Sequence, residues 1–163
     1  MSAKTYKSAF SSIKERQAGN LTVSAQCEPF LEKIVEDKGD LKAWSFFDNA
    51  YVAEQIRTAD ADAHIGPLAG IPVAIKDIID VLGLQTGCGS PIYHGEKAAI
   101  LKHKSSDASI VSMLRAAGAI LMGKTVTTEF ATFQAGETKN PSALGRTPGG
   151  SSSGSAAAVA AGM

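Results

Sequence analysis

Apolar positions in the first third of the chain follow a helical pattern. Between residues 6 and 35 they recur every three or four positions, as on one face of an amphipathic helix. Gly19-Asn20 divides this pattern into two helices, and Gly39 ends the second. Residues 49–57 have the same character and predict a third helix. The pattern therefore predicts an N-terminal helical lead-in over residues 1–65 that packs on another part of the molecule.

From residue 66 onward, short apolar runs replace the helical pattern. Residues 73–75 are apolar without alternation, which predicts a short strand buried on both faces. Asp107 is placed to cap a helix that Gly118 ends. Residues 119–122 then predict a second buried strand. Strand, helix and strand in this order predict an α/β fold with a parallel pair joined by a right-handed crossover.

Two lysines follow the predicted strands, at the edge where open α/β sheets carry their active sites. Lys76 lies between apolar neighbours, and Lys124 follows the second strand. Burial disfavours the ammonium form of a lysine, and a neutral lysine can act as a general base. The alternative is that Lys76 extends to solvent or pairs with Asp77 or Asp80. The residues alone leave both possibilities open.

A glycine- and serine-rich loop, residues 147–155, runs into an alanine-rich segment, residues 156–161. The alanines predict a helix that is apolar all round and buried on every side. The loop could be a flexible linker, an anion site at a helix N-terminus, or a source of hydroxyls and amide donors for a hydrolytic site. The adjoining helix disfavours the linker. Since no Gly-Lys-Ser/Thr follows, a phosphate- or nucleotide-binding domain is the weakest alternative.

Glu129 follows the second strand among threonines and could contribute to a pocket. The stronger expectation is that Glu129 and the threonines cap a further helix, whose first apolar residues are Phe130 and Phe133. The threonines are Thr125, Thr127 and Thr128.

Charge and composition narrow the classes of function. Sixteen basic and sixteen acidic residues cancel, so no strong net field favours nucleic acid or an anionic membrane as a partner. The apolar runs are too short to span a bilayer, no secretory h-region is present, and two cysteines are too few for a disulfide framework. We therefore expect a reduced, cytoplasmic setting. The candidate metal ligands do not complete a tetrad, so no metal is expected. They are Cys27, Cys88, His64, His94 and His103.

Three segments resemble motifs of the amidase signature family. They are GPLAGIPVAIKD at 66–77, GAILMGKTVTTEF at 118–130 and PGGSSSGSAAAVAAG at 148–162. The resemblance implies an amidase-signature fold, a mixed, largely parallel sheet flanked by helices and incomplete at the C-terminus. Residues 66–163 would then be the N-terminal part of its catalytic core.

The resemblance also implies a Ser–cis-Ser–Lys triad that hydrolyses amides through an acyl-enzyme without a cofactor. Lys76 falls on the catalytic lysine, and Ser151 falls on the middle serine, which follows a cis peptide bond after Gly150. The nucleophilic serine of the family falls after Met163, so this chain alone is expected to be inactive. We also expect the alanine-rich helix to be partly exposed to solvent and the chain to self-associate.

The resemblance implies a small-molecule amide as substrate, with Phe130, Gly150 and Ser152 as candidate binding residues. Phe130 could equally be a core residue. No direct nucleic-acid or membrane partner is expected, whereas a homo-oligomer or a completing chain is possible. Two alternatives to a simple amidase remain: the glutaminase subunit of a tRNA-dependent amidotransferase, and a non-catalytic truncated remnant.

Overall fold

The computed structural model describes residues 7–62, 66–93 and 103–163. Helices and strands together form an α/β fold. The helices are α1 (Ala9–Gln17), α2 (Val23–Asp37), α3 (Asn49–Ala61), α4 (Ser109–Ala116) and α5 (Ser153–Ala161), and the strands are β1 (Trp44–Phe47), β2 (Pro72–Lys76) and β3 (Ile120–Thr125). Short 3₁₀ turns cover Pro91–Tyr93 and Glu129–Ala131. Within the described residues, no helix is long and apolar enough to cross a membrane.

The three N-terminal helices are confirmed, and each begins at a side-chain cap. The hydroxyls of Ser8 and Thr22 accept backbone amides at the starts of α1 and α2. The carboxylate of Asp48 accepts the amides of the first turn of α3. Helix α2 ends at Lys38 in the left-handed conformation, directly before Gly39. Helix α3 continues to Ala61, one turn beyond the predicted end.

Asp60 of α3 ties the three helices together. Its carboxylate accepts the amide of Val23 at 2.6 Å and the hydroxyl of Ser24 at the start of α2, and Arg16 of α1 lies 3.5 Å away. Burial acts to raise the pKa of Asp60, but these hydrogen bonds and the Arg16 charge outweigh burial and hold the pKa below its usual value. The ionised carboxylate is therefore the form that the fold stabilises.

The sheet has the strand order β1-β3-β2. Strands β2 and β3 are parallel, as predicted. The sequence did not predict β1, which pairs antiparallel with the other edge of β3. Residues 1–65 thus contribute a strand to the sheet as well as helices, and the domain division at residue 65 stays a prediction.

A β-bulge at Gly123 interrupts the β2–β3 ladder. Gly123 has a φ of 150°, and a Cβ there would lie 2.3 Å from the carbonyl oxygen of Phe46 on β1. Past the bulge, Lys76 lies opposite Thr125, and Lys124 lies opposite the preceding residue of β2. Because successive residues of a strand face opposite sides, Lys76 and Lys124 lie on different faces of the sheet.

Two apolar clusters cover the two sides of the sheet. One joins the sheet to α2 and α3, and the other joins it to α4 and the loop after β2. The first contains Val23, Cys27, Ile34, Val52, Ile56, Ile120 and Met122, and the second contains Ile75, Val81, Leu84, Val111 and Leu121. Strand β3 is buried along its whole length, as predicted. In β2 only Ile75 is buried, because β2 lies at the edge of the sheet, so the burial predicted for residues 73–75 is wrong for Val73 and Ala74.

Helix α4 starts differently from the prediction. Ala108 occupies the N-cap position without a side-chain hydrogen bond. The Asp107 carboxylate instead accepts the amide of Leu82 at 2.7 Å and the Nε–H of Arg115 at 2.9 Å. Asp107 therefore joins α4 to the loop after β2. Gly118, with a φ of 88°, ends the helix as predicted.

Helix α5 forms where the alanines predicted it, but burial on every side is not observed. Gly154, Ala157 and Ala158 are buried against the rest of the chain, whereas Val159 is 79% exposed. One face of α5 is therefore uncovered in the described structure.

Candidate active site

Lys76 and Ser151 lie together at the carboxyl end of β2. The Lys76 Nζ donates to the Ser151 Oγ at 2.5 Å. Lys76 is the last residue of β2 and is half-buried, and Ser151 precedes the first residue of α5 by two positions. The peptide bond between Gly150 and Ser151 is cis. The structure thus joins the two residues to which the sequence resemblance assigned catalytic roles.

A close approach of α5 to the end of β3 positions this loop. The Gly154 amide donates to the Val126 carbonyl at 2.9 Å, and a Cβ on Gly154 would lie 2.2 Å from the carbonyl oxygen of Ala43. Only glycine fits this contact without movement of the backbone. One residue further on, the Ser155 hydroxyl lies 2.8 Å from the Thr125 hydroxyl at the end of β3.

The turn after β3 holds Ser151 from the other side. The Thr128 amide donates to the Ser151 carbonyl at 2.9 Å, and the Thr128 hydroxyl donates to the Thr132 carbonyl at 2.6 Å. A Cβ on Gly150 would lie 2.8 Å from the Thr128 methyl group. Ser151 therefore has its backbone as well as its side chain anchored. Sequence reasoning missed this contact, because nothing in the order of the residues pairs Thr128 with the serine loop.

The prediction of a helix after Glu129 is wrong. Residues Glu129–Ala131 form a 3₁₀ turn in which Phe130 has a left-handed φ of 47°. The Glu129 carboxylate accepts the buried Ser90 hydroxyl at 2.7 Å, an interaction that the sequence did not suggest. Phe130 is 49% exposed and contacts the Tyr93 ring edge-on at 6.5 Å, which argues against a core role. Phe133 is fully exposed.

Lys76 does not pair with the acidic residues that follow it, so that alternative is wrong. Asp77 Oδ1 lies 2.7 Å from the Nζ of Lys124, and Asp80 Oδ1 lies 3.2 Å from the Nζ of Lys104. Lys124 lies within β3 rather than after it, and its side chain is completely buried.

An open cavity of about 1200 Å³ lies among α2, β1, the loop after β2 and the turn after β3, and neither Lys76 nor Ser151 lines it. Its walls include Ser90, Tyr93 and Glu129. The substrate-binding roles predicted for Phe130, Gly150 and Ser152 stay predictions. Ser152 is exposed at the N-cap of α5 and makes no capping hydrogen bond there.

Within residues 7–62, 66–93 and 103–163, no group of three or more His, Cys, Asp or Glu side chains could hold a metal ion. His103 is exposed, whereas His64 and His94 lie outside the described residues.

A family model described as Amidase matches residues 25–163. A glutamyl-tRNA(Gln) amidotransferase subunit from Symbiobacterium thermophilum is 41% identical over 156 residues, which are 89% of this chain and 31% of that protein. The subunit of the same name from Methanosarcina acetivorans is 47% identical over 162 residues, 92% of this chain and 30% of that protein. The crystal structure of a peptide amidase from Stenotrophomonas maltophilia superposes with a TM-score of 0.76 at 32% identity, covering 97% of this chain and 34% of that one.

The described fold is of the α/β class, like that of the peptide amidase on which it superposes. The chain belongs to the amidase signature family. It spans about a third of the length of the curated relatives that it matches.

Proposed function

We propose that this chain supplies the base and the proton relay of an enzyme that hydrolyses amide C–N bonds through an acyl-enzyme. The observation that carries the proposal is the 2.5 Å contact between Lys76 Nζ and Ser151 Oγ. A lysine and a hydroxyl at hydrogen-bond distance are the arrangement that proton transfer between them requires. The substrate proposed is a small-molecule amide, and a cytoplasmic setting stays a prediction.

The proposed reaction moves one proton along a relay. Neutral Lys76 accepts the proton of the Ser151 hydroxyl, while Ser151 accepts a proton from the nucleophilic serine that the family resemblance places later in the sequence. That serine attacks the amide carbonyl and forms an ester. The proton returns through the relay to the leaving nitrogen as the C–N bond breaks. Water, deprotonated along the same route, then cleaves the ester and restores the serine.

The surrounding contacts support this role because they fix Ser151 without using its side chain. Its carbonyl is bonded to Thr128, and the helix behind it is seated against β3 through Gly154. The hydroxyl therefore remains available to Lys76 on one side and to a second hydroxyl on the other. Such positioning is the means by which a static scaffold lowers the entropic part of an activation barrier.

The test fuses residues 1–163 to the C-terminal two-thirds of the Methanosarcina acetivorans relative and measures ammonia release from amides. Lys76→Ala and Ser151→Ala should each lower kcat/KM by at least about a hundredfold, since general acid–base catalysis contributes that much or more. The matched controls are Lys38→Ala and Ser142→Ala, whose side chains are exposed. Retention of activity in Lys76→Ala or Ser151→Ala, with controls unaffected, would refute the assignment.

A second candidate is the glutaminase half-reaction of a tRNA-dependent amidotransferase. It is favoured by the two relatives that are named as subunits of glutamyl-tRNA(Gln) amidotransferase. The same fusion separates the candidates through its substrates. Glutamine hydrolysis stimulated by partner subunits would support the glutaminase, and unassisted hydrolysis of simple amides or peptide amides would support an independent amidase.

The third candidate is a non-catalytic remnant that binds a partner. It predicts that the 163-residue chain releases no ammonia alone and that the fusion also remains inactive. An active fusion, with an inactive 163-residue chain, would instead support the proposal that this chain supplies the base and the proton relay and the fused segment supplies the nucleophile.

A further inference from the structure

Lys124 is a fully buried charge that the reaction proposed above does not use. Its ammonium group lies 2.7 Å from Asp77 Oδ1 and donates to the Gln85 carbonyl at 3.0 Å and the Thr86 hydroxyl at 3.1 Å. These partners occupy its three donors, since an ammonium has three N–H groups. A buried lysine satisfied in this way costs free energy to desolvate, so its presence calls for an explanation beyond core packing.

The position of Asp77 supplies that explanation. Asp77 follows Lys76 directly in the sequence, and its carboxylate would be the nearest available counter-ion for a lysine at the end of β2. The side chain is instead 8% exposed and bonded to Lys124. Lys76 lies on the face of Thr125, opposite to the face of Lys124. The ion pair therefore holds the carboxylate on the far side of the sheet from the Ser151 contact.

Further hydrogen bonds keep Asp77 in this place. Its second oxygen accepts the Gly87 amide at 3.3 Å, its own amide donates to the Thr125 carbonyl at 2.9 Å, and its carbonyl accepts the Cys88 amide at 3.0 Å. The Cys88 carbonyl in turn accepts the amide of Phe130, which belongs to the turn that anchors Ser151. The ion pair is thus part of a continuous set of contacts around the Lys76–Ser151 pair.

We infer that Lys124 is a positioning residue: it neutralises Asp77 and keeps that carboxylate away from Lys76, so that Lys76 can exchange a proton with Ser151. The inference rests on the proposed function only for the importance of a neutral Lys76. Without Lys124, the buried carboxylate keeps only the 3.3 Å hydrogen bond from the Gly87 amide, and its uncompensated negative charge lies one residue from Lys76. A carboxylate close to a lysine favours the ammonium form.

Other charged groups near this network are already paired or lie on its rim. Asp80 accepts the Thr86 hydroxyl at 2.8 Å and pairs with Lys104. Glu129 accepts the Ser90 hydroxyl. The Cys88 thiol is a titratable group on the same loop, and burial raises its pKa. Helix α4 brings Arg115, which is paired with Asp107, and helix α5 has no charged residue in its sequence.

The test reads the nucleophilicity of Lys76 directly in the 163-residue chain. Each lysine is trace-labelled with acetic anhydride at fixed pH, and peptide mass spectrometry gives the rate at Lys76 relative to exposed Lys38. Acetic anhydride reacts with the neutral amine, so Lys124→Met should lower the Lys76 rate about fivefold or more. Unfolding would act in the opposite direction, because it would expose Lys76 to the reagent.

Two further variants make the result decisive. Asp77→Asn/Lys124→Met removes both charges and should restore the Lys76 rate to within about twofold of the wild type. Lys104→Met, which removes a cation outside the pair, should leave that rate unchanged. An unchanged or raised rate in Lys124→Met with native circular dichroism would overturn the inference. If Lys124→Met does not fold, a lowered rate in the folded double variant would overturn it equally. The labelling does not depend on turnover, so failure of the proposed function would be seen separately in the fusion assay.

Discussion

Gly154→Ala sets helix propensity directly against packing. Gly154 lies in the first turn of α5 with no positive φ, so propensity alone predicts that alanine stabilises the chain by about 0.5–1 kcal/mol. The new Cβ would lie 2.2 Å from the Ala43 carbonyl oxygen and 2.3 Å from the Val126 nitrogen, both backbone atoms. Real Cβ contacts do not fall below 3.0 Å, so α5 must move away from the backbone of Ala43 and Val126 by roughly 0.8 Å.

The separation has two costs. Overpacking a close contact costs about 1–3 kcal/mol. The hydrogen bond from Gly154 to Val126 is lengthened, and weakening a buried backbone bond adds about 1 kcal/mol or more. After the gain in propensity is subtracted, we expect the free energy of unfolding to fall by about 1–3.5 kcal/mol. Ser151 should also lose its contact with Lys76, since the same movement shifts the start of α5.

Urea unfolding followed by far-UV circular dichroism measures this change. Gly145→Ala is the matched control, because nothing lies within 4 Å of its added Cβ, and it should change stability by less than about 0.5 kcal/mol. Ala156→Gly, at an exposed site of α5, calibrates the propensity of this helix at about 1 kcal/mol. A Gly154→Ala protein as stable as the wild type, or more stable, would refute the packing argument.

Three other predictions follow from contacts described above. Asp60→Asn should lower the free energy of unfolding at pH 7 by about 1–2 kcal/mol. Because the pKa of Asp60 is lowered in the folded state, this stabilisation is present above the unfolded pKa of about 4 and is lost as the pH falls through the folded pKa. A stability difference between wild type and variant that stays constant from pH 7 to pH 3 in urea titrations would contradict the prediction. Burial, aided by the charge of Asp60, raises the pKa of Cys27 to about 12. A disulfide reagent at pH 8 should therefore modify half-exposed Cys88 first and Cys27 only after unfolding. Simultaneous reaction of both thiols in the native protein would argue against this prediction. Gly123→Ala should cost about 2–4 kcal/mol through its strained φ and its contact with Phe46, and a stability equal to that of Gly145→Ala would count against it.

Much of the α/β core could be predicted because apolar patterns mark it directly. The runs at 73–75 and 119–122 lie in strands β2 and β3, and glycines end the helices before and between them. Burial was predicted correctly for β3 but not for Val73 and Ala74 of the edge strand β2. Strand β1 was missed because Trp44–Phe47 is only four residues long and its partner, β3, is distant in sequence. The helix expected after Glu129 failed because hydrogen bonds from Ser90 and to Cys88 fix a different backbone there.

The candidate site was predicted by motif rather than by pattern. Lys76 and Ser151 are 75 positions apart, and neither spacing nor composition joins them. Spacing alone also left open a pair between Lys76 and Asp77, which lie next to each other in sequence. The direction of the Asp77 carboxylate depends on the alternation of side chains at the end of β2 and on its partner Lys124 in β3. The pairing of β2 with β3 that brings this partner close is a feature of the tertiary structure.

The bulge at Gly123 sets the register of β3 against β2. If β2 and β3 continued in the register of Val73 and Leu121, Lys76 would lie opposite Lys124, and two ammonium groups would compete for the same hydroxyl. One additional residue in β3 moves Lys124 to the other side. A single-residue deletion at the bulge would therefore move Lys124 to the face of Lys76 while leaving both lysines in the sequence. Chains of this family that differ in length by one residue in β3 should therefore be compared by strand register before any lysine is equated with Lys124.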